Sequence, residues 1–89
     1  MVKRGKLEII KDILKIIKEK HNSIKVTPLL RQSNLSSKRF TEYFHELIEK
    51  GFIKDIKEKD KRYISLTEKG FKFLEKYEAI IEFIDEFDL

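Results

Sequence analysis

Apolar residues recur at three- and four-residue intervals through most of this chain and change to short clusters once, near residues 52–66. From Lys6 to Lys20, Leu7, Ile10, Ile13, Leu14 and Ile17 form an i, i+3, i+4, i+7 stripe, widened by Ile9 and Ile16. Lys11, Lys15 and Lys18 fall towards solvent, so this stretch predicts a first amphipathic helix. His21, Asn22 and Ser23 end it, with His21 placed structurally against the helix dipole. Ile24-Lys25-Val26 reads as a very short extended piece. Thr27 then serves as N-cap and Pro28 as first residue of a two-turn helix ending near Ser33, with Leu29 and Leu30 inward.

After the turn Asn34-Leu35 comes the stretch that organises the rest, a third helix over 37–50. Ser36 is its predicted N-cap, and Leu35 with Phe40 sit where a hydrophobic staple would. Phe40, Phe44, Leu47 and Ile48 make the apolar face; Lys38, Glu42, His45 and Glu49 lie opposite, and Gly51 is the stop. Phe52, Ile53 and Ile56, then Tyr63, Ile64 and Leu66, bracket the polar tip 57–61 as a β-hairpin. Without an Asn-Gly pair, its loop is expected to exceed two residues. Thr67 caps a last helix over 68–88, with Gly70 in its first turn where a missing side chain permits close packing against the hairpin or first helix.

The chain has 89 residues, enough for one domain with a thin core. Charged residues make up 40%, against ~25% in ordinary proteins, a density seen in hyperthermophile proteins and in any very soluble surface. The charge is uneven. Residues 1–66 carry 17 Lys and Arg against 9 Asp and Glu, a balance of +8; residues 67–89 carry 3 against 7, a balance of −4. Residues 1–5 (MVKRG) read as a mobile basic start. The absence of Cys excludes disulfides and thiolate zinc sites. No apolar run suits a membrane span or a signal peptide, which leads to an expected cytoplasmic location. Two His, no Cys and no Gly-rich phosphate loop provide no visible nucleophile–base pair, so no catalytic residues, metal ligands or cofactors are expected.

A positive balance concentrated around a short helix, turn and helix is the footprint of a nucleic-acid binder. Candidate phosphate contacts are Lys38 and Arg39 on the third helix and Lys59, Lys61 and Arg62 on the hairpin. Ser36 and Ser37, with the first amides of that helix, suit one phosphate; Ser36 also suits a plain cap. Lys38, Thr41, Glu42 and His45 are candidates for base edges, with Glu42 read first as the i, i+4 ion-pair partner of Lys38. Tyr43, Phe44 and Tyr63 read as packing residues.

The order helix, short strand, helix, turn, helix, hairpin, helix is that of a winged helix. LEIIKDIL, NLSSKRFTEYFHELIEKGFI and YISLTEKGFKFL resemble the archaeal winged helix-turn-helix DNA-binding family, of the ten-kilodalton Sulfolobus chromatin-associated type, over roughly residues 6–80. The resemblance implies a mainly α fold with a small β-hairpin wing: a winged head over residues 1–66 and an extended C-terminal dimerisation helix over 67–89, parts of one domain. It also implies a homodimer on double-stranded DNA, acting in transcription regulation or as a chromatin-associated protein. The residues support the dimer independently. Leu74, Tyr77, Ile81 and Ile84 follow coiled-coil spacing, flanked by Ile80 and Phe87. The last helix is basic early (Lys69, Lys72, Lys76) and acidic late (Glu78, Glu82, Asp85, Glu86, Asp88), so an antiparallel seam pairs opposite charges. Two departures stand out: the last helix is shorter than in long-coil members, and Glu42, Glu46 and Glu49 make the third helix unusually acidic. A winged helix used for protein–protein interaction without DNA is therefore the alternative.

Overall fold

The predicted helices and hairpin form in the predicted order, while the short strand before the second helix shrinks to a single bridge residue. The computed structural model describes residues 5–89: α1 (Lys6–Glu19), α2 (Val26–Ser33), α3 (Ser37–Glu49), β1 (Ile53–Glu58), β2 (Lys61–Leu66) and α4 (Glu68–Glu86). The expected basic start lies outside the described residues, apart from Gly5, which takes the N-cap position of α1.

One core joins all of them. Ile13, Leu14 and Ile17 of α1 meet Leu29 of α2, Phe40 and Leu47 of α3, and Leu74 of α4, with the hairpin closing one side through Ile53, Ile64 and Leu66. The predicted stripe of α1 is rotated slightly. Ile9 is a core residue, whereas Leu7, in the first turn, is 61% exposed. Ile48, expected on the buried face of α3, also lies largely at the surface, while Tyr43 takes a half-buried place against the core.

Three local corrections concern backbone. The helix α2 begins at Val26, so Lys25 occupies the N-cap position and Thr27 caps nothing. Pro28 is tolerated at the third helical position, because the first turn's amides have no intrahelical acceptor in any case. Of the expected extended piece, only Ile24 pairs: it exchanges backbone hydrogen bonds with Ile64, the Ile24 N–H donating at 3.1 Å and the Ile64 N–H at 2.7 Å. The hairpin register runs from Ile53↔Leu66 to Glu58↔Lys61, leaving only Lys59 and Asp60 in the turn. A two-residue turn needs a positive φ. Lys59 adopts one itself, at 52°, so the tight turn forms without the sequence signal that announces it.

The junctions are held by named bonds. The α3 stop is a Schellman arrangement: Gly51 (φ 78°) donates to the Ile48 carbonyl at 3.1 Å and Phe52 to that of Leu47 at 2.9 Å. Asn22, also left-handed, accepts from the Leu66 N–H through its side chain and from the Ser65 hydroxyl through its carbonyl, each at 2.6 Å. This pins the end of α1 to β2. The Thr67 hydroxyl accepts from the Gly70 N–H, as predicted, and donates to the Gly51 carbonyl.

The described residues span 50 × 28 × 21 Å with a radius of gyration of 13.8 Å, above the ~12 Å of a compact chain this long. The cause is α4. Its first half packs through Gly70, Phe73 and Leu74; its second half leaves Ile80, Ile81, Phe83 and Phe87 exposed.

Candidate nucleic-acid interface

The helix α3 is presented by its own cap and by its aromatic back. The Ser36 hydroxyl accepts from the Arg39 N–H at 3.2 Å, which fixes where the helix starts. Phe40 is buried and stacks on Phe44 at 5.6 Å. With that side anchored, Ser37, Lys38, Thr41, Glu42, His45 and Glu49 are all exposed on the other. Asn34, at φ 62°, makes the sharp α2–α3 turn that sets this helix out from the body.

The predicted residues are not equivalent in place. Ser36, Ser37, Lys38 and Arg39 cluster at the start of α3, where unpaired amides and the positive helix end favour an anion. Arg39 lies over the Tyr43 ring at 6.0 Å, which orients its guanidinium along the helix flank. The Thr41 hydroxyl donates to the Ser37 carbonyl at 2.8 Å, leaving its lone pairs and methyl to face outward. The expected Lys38–Glu42 ion pair does not form among the described residues; both side chains are free in solvent.

Glu46 behaves differently from its neighbours. Lys6 reaches it at 2.8 Å and Lys50 at 3.3 Å. The hydrogen bond from Lys6 holds the Glu46 carboxyl below its ordinary value and raises the Lys6 ammonium in turn. One of the three acids that made α3 look unsuited to a polyanion is thus neutralised from outside the helix.

On the wing, Lys59 and Lys61 are exposed at the tip and have no ion-pair partner among the described residues. Arg62 is committed: its Nε donates to Asp55 Oδ2 at 2.7 Å, and this bond holds the Asp55 carboxyl below its ordinary value. This pair links neighbouring positions of β1 and β2 and braces the wing. The hairpin also brings Asp60, Lys61 and Arg62 beside the start of α2, where they line a shallow groove with Lys25, Val26, Thr27 and Pro28. Lys25 is thus an exposed cation next to the wing that the sequence reading passed over. Its signal was available, since a Lys just before a Pro-containing helix start sits at a helix mouth.

The proposed seam of α4 also changes at one end. Leu74 is 2% exposed and belongs to the head's own core. Tyr77 is half-buried, with the Lys11 ammonium 5.7 Å from its ring. The same face then runs on through Ile80, Ile81, Ile84 and Phe87, with Ile81 still lining a groove beside Lys11 and Lys15 of α1. No helix among the described residues is long and apolar enough to cross a membrane.

The model of the family described as "Winged helix-turn-helix" matches residues 3–85. The chain belongs to that family. This winged helix is 39% identical over 83 residues to an uncharacterized protein of Methanocaldococcus jannaschii, covering 93% of this chain and 79% of the relative. A second protein of that organism is 37% identical over 83 residues, again covering 93% of this chain. Here the chain spans only 36% of the relative's length, so this winged helix corresponds to part of a larger protein. Among solved structures it is similar to Sso10a-2, a DNA-binding protein from Sulfolobus solfataricus, with a TM-score of 0.76 and 23% identity, covering 94% of this chain and 85% of that one. At that identity the likeness establishes the fold.

Proposed function

We propose that this winged helix binds double-stranded DNA as a homodimer, as a transcriptional regulator or a chromatin-associated, nucleoid-located protein. The observation that carries the reading is the start of α3: Ser36, Ser37, Lys38 and Arg39 gather exposed cations, hydroxyls and free amides at one helix end. That end approaches the phosphates while the outer row Lys38, Thr41, Glu42 and His45 enters the major groove. Lys59 and Lys61 at the wing tip, with Lys25 beside them, extend the positive surface along the backbone. Arg62 keeps the wing in shape. Sso10a-2, of the same fold, is a DNA-binding protein, which supports the assignment.

Dimerisation is supported by the overhang of α4. An exposed apolar run on a helix that outlasts its own head marks an interaction surface. Antiparallel pairing sets Lys72 and Lys76 of one copy near the acidic end of the other. Two linked heads raise affinity by effective concentration and address half-sites spaced by about one DNA turn, ~34 Å. Retention of a random duplex at low salt with release at high salt tests the reading.

The rival is a protein-interaction winged helix. It is favoured by Glu42 and Glu49, both exposed and without a cation partner among the described residues. That reading predicts no duplex retention at any salt.

A further inference from the structure

The two unneutralised acids on α3 have opposite consequences for DNA of different sequence. Resting on the DNA-binding reading above, we propose that Glu42 is a specificity-determining residue that selects cytosine in the major groove. It sits in the first half of α3, between Lys38 and His45 on the open row. Residues in that half of a recognition helix reach base edges. Glu46, one turn on, is held by Lys6 and Lys50, whereas Glu42 has no cation at pairing distance among the described residues. Glu42 shares a shallow groove with Lys6, Arg39, Tyr43 and Glu46, yet forms no ion pair there among the described residues, so its carboxylate stays available to a partner.

An ionised carboxylate is acceptor-only. Most major-groove edges are acceptors too: guanine N7 and O6, adenine N7, thymine O4. Facing them, or a phosphate, Glu42 loses hydration and gains repulsion. Two edges donate. The adenine N6 amine lies beside the N7 acceptor, a pair that an amide matches and a carboxylate does not. The cytosine N4 amine is flanked by an acceptor, the paired guanine O6, on one side only, whereas adenine N6 lies between N7 and thymine O4. Cytosine is thus the one base that repays burial of this group. Random DNA is disfavoured by the same charge, so a single residue lowers non-specific affinity and raises discrimination.

Selection from a random duplex pool at fixed moderate salt, with wild type, E42Q and E42A, tests this. Wild type should enrich cytosine at one position per half-site, ~5- to 150-fold over other bases. E42Q should move that position to adenine, because the amide supplies both a donor and an acceptor. E42A should lose the preference there while binding the unselected pool more tightly than wild type. Glu42 is exposed, so both variants should keep the wild-type circular dichroism. Wild type and E42Q enriching the same base, or wild type binding every duplex alike, would overturn the proposal and leave DNA binding intact. Failure of wild type to retain any duplex would overturn the DNA-binding reading and the proposal with it.

Discussion

The Lys6 ammonium lies 2.8 Å from the Glu46 carboxylate, joining the first residue of α1 to the third helix across 40 positions of sequence. The pair is at the surface, so its share of stability is small. Its main effect is on the field of α3, where it leaves Lys38 and Arg39 less opposed. Replacing Lys6 with Ala should weaken duplex binding even though Lys6 is not among the candidate DNA contacts. E46Q should strengthen binding. Titration of both variants with one duplex checks the pair of opposite signs.

The same bond sets a pH dependence. Glu46 is held below its ordinary value, so its contribution is present above the unfolded carboxyl pKa of ~4.3 and lost as pH falls through the lower folded value. Asp55, held down by Arg62, acts in the same direction. Urea midpoints of wild type and an E46Q/D55N variant should differ near pH 7 and converge as pH falls through the lowered carboxyl values.

Gly70 sits where a β-carbon would come within 2.3 Å of the Phe52 carbonyl oxygen, a backbone atom with no freedom to retreat. Alanine ordinarily favours a helix over glycine by ~1 kcal/mol. Here G70A should instead destabilise by roughly 1–3 kcal/mol through overpacking, read as a lower urea midpoint with an unchanged slope.

Lys59 occupies left-handed backbone that suits glycine better. K59G should stabilise the fold by ~0.5–1 kcal/mol while weakening DNA binding through the lost charge. Thermal unfolding and a DNA titration of one variant should therefore move in opposite directions.

Ile80 and Phe87 are 58% and 57% exposed on the overhang of α4. If a second copy covers them, an I80D/F87D variant should sediment near 10.7 kDa and wild type near twice that mass at micromolar concentration. The head should stay folded, since neither residue belongs to its core.

Local rules were the legible part. The stripes of α1 and α3, the Ser36 and Thr67 caps, the Gly51 stop and the close approach at Gly70 each depend on residues a few positions apart. Contacts between distant elements were not legible. Nothing near Glu46 announces Lys6, and nothing in the 3-4-3 spacing of Leu74 says that the head claims it before a partner does. Thr27-Pro28 looked like a helix start because both residues suit one, yet the helix begins two residues earlier, at Val26, just after Ile24 pairs with Ile64. The two-residue wing turn was hidden because Lys59 adopts its positive φ without glycine or asparagine. The candidate site was legible only as a set of exposed positions on α3 and the wing. Which of its charges are free, namely Lys38, Glu42, Lys59 and Lys61, and which are spent, namely Glu46 and Arg62, is a property of the fold.

The start of α3 as a phosphate-binding end is tested most directly by the salt dependence of binding to a random duplex, wild type against K38A/R39A. Each phosphate contact contributes ~0.9 to the slope of log affinity against log salt. Wild type should show a steep negative slope, and the double variant one shallower by roughly two per head, with its circular dichroism unchanged. Equal slopes and affinities, or no binding by wild type even at the lowest salt, would contradict the account.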